Sequence, residues 1–117
     1  MADREPDCLF CRIMAGEVPS DRVYADEDVY AFRDINPRAP THVLFVPRRH
    51  IPSAADLTDA DGPLLAALFK AMAKVATEGG LGSGYRIVTN VGPGAGQSVF
   101  HLHFHLLGGR TLGWPPG

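Results

Sequence analysis

The sequence predicts an α+β domain: an antiparallel sheet of five short strands, covered on one face, with one long helix and one short one. Three observations carry this expectation. Five short segments are rich in Val, Ile, Tyr and Phe and are separated by Gly, Pro and Asp clusters; Leu64, Leu68, Met72 and Val75 form one stripe at helical spacing; and 117 residues suffice for one domain.

The elements follow in chain order. Between Asp7 and about Gly16, the run Cys8-Leu9-Phe10-Cys11-Arg12-Ile13-Met14 has helix-like apolar spacing, and Gly16 and Pro19 end it. Arg22 to Ala25 and Val29 to Arg33 flank Asp26-Glu27-Asp28 and read as a hairpin. His42-Val43-Leu44-Phe45-Val46-Pro47 is nearly continuous in apolar residues, which suits a central strand buried on both faces. The long helix is expected to start between Thr58 and Pro63 and to stop at Gly79-Gly80. Tyr85 to Val91 is rich in β-branched residues and reads as a strand, followed by the loop Gly92 to Ser98. A last strand is expected from about Phe100 to Leu107, ended by Gly108-Gly109. Residues 1–6 read as a flexible lead and 110–117 as an irregular tail.

A formal charge of −2 and a pI near 6.2 give no basic stripe for a nucleic acid polymer. The sequence has no apolar run long enough for a membrane and no hydrophobic stretch at its amino terminus, so a cytoplasmic protein is expected. In a reducing compartment, the pair Cys8 and Cys11 points to metal binding or redox chemistry more than to a structural disulfide.

The chemistry concentrates in the histidines. His101, His103 and His105 alternate with Leu102, Phe104 and Leu106, so on a strand the histidines share one face and the apolar residues the other. One such histidine would be an ordinary surface residue, but three at strict period two are not. Same-face neighbours stand roughly 6.6 Å apart and the outer two roughly 13 Å. Two can share a zinc, but three on a straight strand cannot, so at least one has another task. Neutral imidazole is a good nucleophile toward phosphorus and an acceptable leaving group from it. The middle residue, His103, is the natural candidate. The loop before it, with Gly94, Gly96 and the backbone through Ser98, could cradle phosphate oxygens, although it fits neither the Walker nor the dinucleotide fingerprint.

At His101-Leu102-His103-Phe104-His105-Leu106-Leu107 the chain resembles the histidine-triad (HIT) superfamily, whose signature is three histidines alternating with apolar residues. Asp34-Ile35-Asn36-Pro37, Pro40-Thr41-His42, Pro47-Arg48-Arg49-His50, Gly96-Gln97-Ser98-Val99, Gly108-Gly109-Arg110 and Trp114-Pro115-Pro116-Gly117 look like the Hint-like branch, the purine nucleoside phosphoramidases. The resemblance spans nearly the whole chain. It implies a single HIT domain over 1–117 with the HIT-like fold, and a homodimer that joins two sheets into one of ten strands.

It further implies hydrolysis or transfer at the P–N bond of purine nucleoside 5′-phosphoramidates, as in adenosine 5′-monophosphoramidases, through a covalent nucleotidyl-histidine on His103. By position, His105 and His42 would contact phosphate or steady His103, and Ser98 would sit near the leaving group. Asn90 and the Gly96-Gln97-Ser98 backbone would hold phosphate oxygens, Asp34 the ribose hydroxyls, and Phe10, Ile13, Val18, Phe32 and Ile35 would wall the base of an AMP or GMP derivative. Trp114 would help shape the partner's leaving-group pocket. Some bacterial members hold a structural zinc, here implied at Cys8, Cys11, His50 and His101 and not required for the chemistry. The alternatives are a Fhit-like dinucleoside polyphosphate hydrolase and a catalytically weak nucleotide-binding or interaction module. Ser98 and the Trp-Pro-Pro-Gly ending favour the phosphoramidase.

Overall fold

The computed structural model describes residues 5–117, with α1 at Leu9–Met14, β1 at Arg22–Ala25, β2 at Val29–Arg33, β3 at Thr41–Pro47, α2 at Gly62–Glu78, β4 at Tyr85–Val88 and β5 at Phe104–Gly108. Short 3-10 turns lie at Ala54–Asp56, Asp59–Asp61 and Pro93–Ala95. The five strands form one antiparallel sheet with the apolar β3 at its centre, as the sequence predicts, and their order is β1-β2-β3-β5-β4. Of the lead expected over 1–6, residues 1–4 fall outside the described residues. Glu5 is tied: its amide donates to Cys11 Sγ at 3.4 Å.

Side-chain alternation sorts the central strands between two cores. Val43 and Phe45 of β3, with Val29, Ala31, Phe104 and Leu106, pack against Leu68, Ala71, Met72 and Ala76 of α2. Leu44 and Val46, with Tyr30 and Phe32, pack against Phe10, Cys11 and Ile13 of α1. The sheet thus carries a helix on each face, where cover on one face was expected. α2 begins inside the expected window, with Pro63 in its first turn where a missing N–H costs no helical bond. Gly80, at φ +76, follows its end in a conformation that favours glycine.

Two strands are shorter than the sequence suggests. β5 starts at Phe104 and not near Phe100, and β4 ends at Val88, which pairs with His105. His101 and His103 therefore precede the ladder, in a segment held by single bonds: Leu102 N donates to Ile51 O at 2.6 Å, and Thr89 Oγ1 donates to His103 O at 2.8 Å. The alternation survives. Leu102 faces the α2 core, while the rings of His101 and His103 meet Phe10 of α1. Among the described residues no helix is long and apolar enough to cross a membrane.

Candidate active site

A cleft of about 390 Å³ opens on the α1 face of the sheet. Phe10, Ile13, Val18, Phe32 and Leu44 give it an apolar wall, and Asp34, Ser98, His103 and His105 converge on it as polar groups. An apolar wall with few placed polar groups is how small-molecule sites are usually built. A larger groove of about 770 Å³, bordered by Tyr85, Arg86 and Arg110, has no histidine, cysteine or acid among its lining residues.

Hydrogen-bond partners assign the protons on the buried imidazoles of His42, His101 and His103 and on the half-buried His105. His103 Nδ1 lies 2.7 Å from the His101 carbonyl, which only accepts, so Nδ1 carries the proton and Nε2 keeps its lone pair. At His42 the order is reversed: the Arg38 amide donates to Nδ1 at 3.0 Å, which places the proton on Nε2. That proton is directed to His105 Nδ1 at 2.9 Å and to Asp34 Oδ2 at 3.4 Å. Nε2 of neutral His105 consequently carries a proton of its own. The site presents a nucleophilic nitrogen on His103 and an N–H donor on His105, whose ring lies 5.1 Å from that of His103.

Burial holds these rings neutral. His105 is pushed down to about 4 by desolvation, and next by the neighbouring His103 and His42; His42 and His103 are also lowered, first by desolvation, with Asp34 opposing. Asp34 is itself held in place, its Oδ1 accepting from Asn36 N at 2.8 Å.

His101 faces away from this relay. Its Nε2 donates to the Pro47 carbonyl at 2.8 Å, so its Nδ1 lone pair points at Cys8 Sγ, at 3.3 Å, and Cys11 Sγ, at 3.5 Å. His50 Nδ1 completes the group, 3.1 Å from His101 Nδ1 and 3.5 Å from Cys11 Sγ. These four donors lie within 4.8 Å of one another and could hold a metal ion. A tetrahedral zinc with bonds of about 2.1 Å to nitrogen and about 2.3 Å to sulfur needs donor separations of roughly 3.4–3.8 Å, near those observed. Amides donating to the sulfurs, Cys11 N to Cys8 Sγ at 3.3 Å and Glu5 N to Cys11 Sγ, suit thiolates. Asp34, His42 and His105 are just as close together. There the Arg38 amide forces the His42 proton onto Nε2, the very atom a metal would need, so this trio is held by hydrogen bonds from that proton to His105 and Asp34.

Other predicted residues are placed differently. Ile35 lies at the rim, 91 % exposed. Gly96 and Gln97 donate their amides to Pro93 O and Gly92 O, within the turn and not to a ligand. The buried Gln97 side chain clamps the loop, accepting from Gly92 N and donating to Pro52 O and Val99 O. Asn90 and Gly96 do not line the cleft; Ser98 does. Trp114 is 81 % exposed and stacks on Arg86, 5.9 Å from guanidinium to ring. Sequence reasoning missed the Pro47 and His101 carbonyls and the Arg38 amide, because backbone groups leave no residue signature. It also missed Ser20, in the cleft wall and 2.9 Å from Tyr30 OH.

A HIT domain family model matches residues 15–112. The chain belongs to the HIT family. An uncharacterized HIT-like protein of Synechococcus elongatus is 46 % identical over 111 residues, which cover 95 % of this chain and 97 % of that protein. A crystal structure of a HIT family hydrolase from Legionella pneumophila matches with a TM-score of 0.93 at 50 % identity, covering 95 % of this HIT chain and 100 % of that one. A HIT family hydrolase from Clostridium thermocellum gives 0.91 at 46 % identity over 94 % and 96 % of the two chains. The family match begins after α1, so Cys8 and Cys11 precede it while His50 and His101 lie within it.

Proposed function

We propose that this HIT chain is a nucleotide hydrolase that cleaves the P–N bond of purine nucleoside 5′-phosphoramidates through a covalent adduct on His103. The observation that carries the reading is the 2.7 Å bond from His103 Nδ1 to the His101 carbonyl, which leaves an unprotonated Nε2 on a ring lining the cleft. His103 Nε2 donates its electron pair to the α-phosphorus as the P–N bond to the leaving amine breaks, and the departing nitrogen takes up the Ser98 hydroxyl proton. Water then attacks the same phosphorus and returns a proton to Ser98, the bond to Nε2 breaks, and the nucleoside monophosphate leaves with His103 and Ser98 restored. His105 Nε2–H serves a phosphate oxygen, and the His42–Asp34 pair steadies His105 from behind. Ser98 is available at the cleft to assist the leaving amine. Asp34 takes the ribose hydroxyls, and Phe10, Ile13 and Phe32 enclose the base.

In this reading two copies pair, bringing the exposed Trp114 to the partner's cleft, and zinc occupies Cys8, Cys11, His50 and His101. Turnover of adenosine and guanosine phosphoramidates is compared with that of diadenosine tri- and tetraphosphate. Preference for the phosphoramidates is expected; preference for the polyphosphates assigns the chain to the Fhit-like class instead. His103→Ala should lower kcat by about 10⁴-fold or more while AMP still binds by calorimetry, and substantial residual hydrolysis in that variant would refute the covalent route.

A further inference from the structure

His101 belongs to two assemblies at once. Its ring nitrogen Nδ1 faces Cys8, Cys11 and His50, and its backbone carbonyl accepts the Nδ1 proton of His103 at 2.7 Å. The next residue is anchored beside the same cluster, since Leu102 N donates to the carbonyl of Ile51, the neighbour of His50. A second contact runs from the other side. Phe10, between the two cysteines, presents itself to His103 at 5.0 Å and an interplanar angle of 88°, and to His101 at 6.0 Å and 66°. His101 and His103 precede β5, so in place of a ladder this backbone is held by a few bonds, from Leu102 N to Ile51 O, from Thr89 Oγ1 to His103 O and from His101 Nε2 to Pro47 O, together with the cluster's contacts to the His101 ring.

We infer that the cluster of Cys8, Cys11, His50 and His101 is a positioning device for the nucleophile: when a divalent ion is held there, the His101 carbonyl is set where it keeps the His103 proton on Nδ1. This goes beyond a fold staple and rests on His103 being the reacting residue. If the cluster loosens, the His101 carbonyl is free to turn, and the His103 proton can move to Nε2, the tautomer that cannot attack. Outer-shell groups that orient metal-ligating histidines are commonly worth about 10- to 100-fold when removed, and a group that orients a reacting imidazole is expected to act on the same scale.

The test uses zinc-loaded full-length protein, His50→Ala, and His50→Cys, which restores a four-donor set. Metal content is read by elemental analysis, the His103 ring nitrogens by ¹⁵N NMR, and kcat and KM with adenosine phosphoramidate. In His50→Ala the single Nδ1–H tautomer of His103 should give way to a mixture, with kcat down about 10- to 100-fold and KM little changed, while His50→Cys recovers both readouts. A folded, metal-free His50→Ala protein with the wild-type tautomer and kcat would overturn the inference. Where His50→Ala does not fold, cadmium-loaded wild type, with longer metal–sulfur bonds, replaces it; a His103 spectrum and kcat identical to those of the zinc form would count equally against the coupling. Absence of turnover in zinc-loaded wild type would defeat the functional reading alone, and the ring-nitrogen spectra would still decide this one.

Discussion

Protonating His105 must break a bond, because its Nδ1 already accepts the proton of His42 Nε2 in a desolvated site. The folded protein holds this imidazole at about 4, against 6.5 for a free one. Between those values the unfolded chain binds more protons than the folded one, so stability rises with pH across the window. This contribution is complete above about pH 6.5, declines as pH falls toward about 4, and changes no further below that. His42, also lowered, acts in the same direction. Urea denaturation at pH 7.5, 6 and 5 should show falling midpoints, with a shallower decline in His105→Asn. An equal slope in that variant would mean other groups carry the acid sensitivity. The same residue-level bonding separates two clusters of similar compactness: the tautomer of His42 suits a relay, and that of His101 suits a ligand.

Among the elements, α2 covers one core and supplies no group lining the cleft. Leu68 and Met72 are fully buried beneath it against β2, β3 and β5. Leu68→Ala is expected to cost about 2–5 kcal/mol, read from chemical denaturation, with KM for the phosphoramidate unchanged. A loss below 1 kcal/mol would show that the site collapses around the deletion, contrary to dense packing of the core. α1 is the opposite case. It is six residues long, too short to persist by itself, and it is held by Phe10 and Ile13 in the apolar core and by its cysteines beside His50 and His101. Two of these anchors, Phe10 and Ile13, also form part of the wall of the cleft.

For the molecule as a whole, the proposed zinc at Cys8, Cys11, His50 and His101 would link stability to metal, since an ion that binds only the folded arrangement shifts the folding equilibrium toward it. Protein purified without chelator is expected to carry about one zinc per chain, and less in Cys8→Ala. Chelation should lower Tm in wild type and leave Cys8→Ala nearly unaffected; equal shifts in both would place the metal elsewhere.

Strand identity, the central place of β3, and the shared face of His101, His103 and His105 were legible in the residues, because alternation and apolar runs are local properties of the chain; the order β1-β2-β3-β5-β4 was not. So was the rule that three histidines in line cannot share one ion. The early end of β4, the late start of β5 and the closure of the Gly96-Gln97 amides within their turn were not legible, since each depends on a particular partner group such as Thr89 Oγ1, Ile51 O or Gly92 O. Above all, tertiary structure alone decided which nitrogen of each imidazole holds its proton. That choice belongs to the carbonyls of Pro47 and His101 and the amide of Arg38, groups every sequence contains and only a fold can aim.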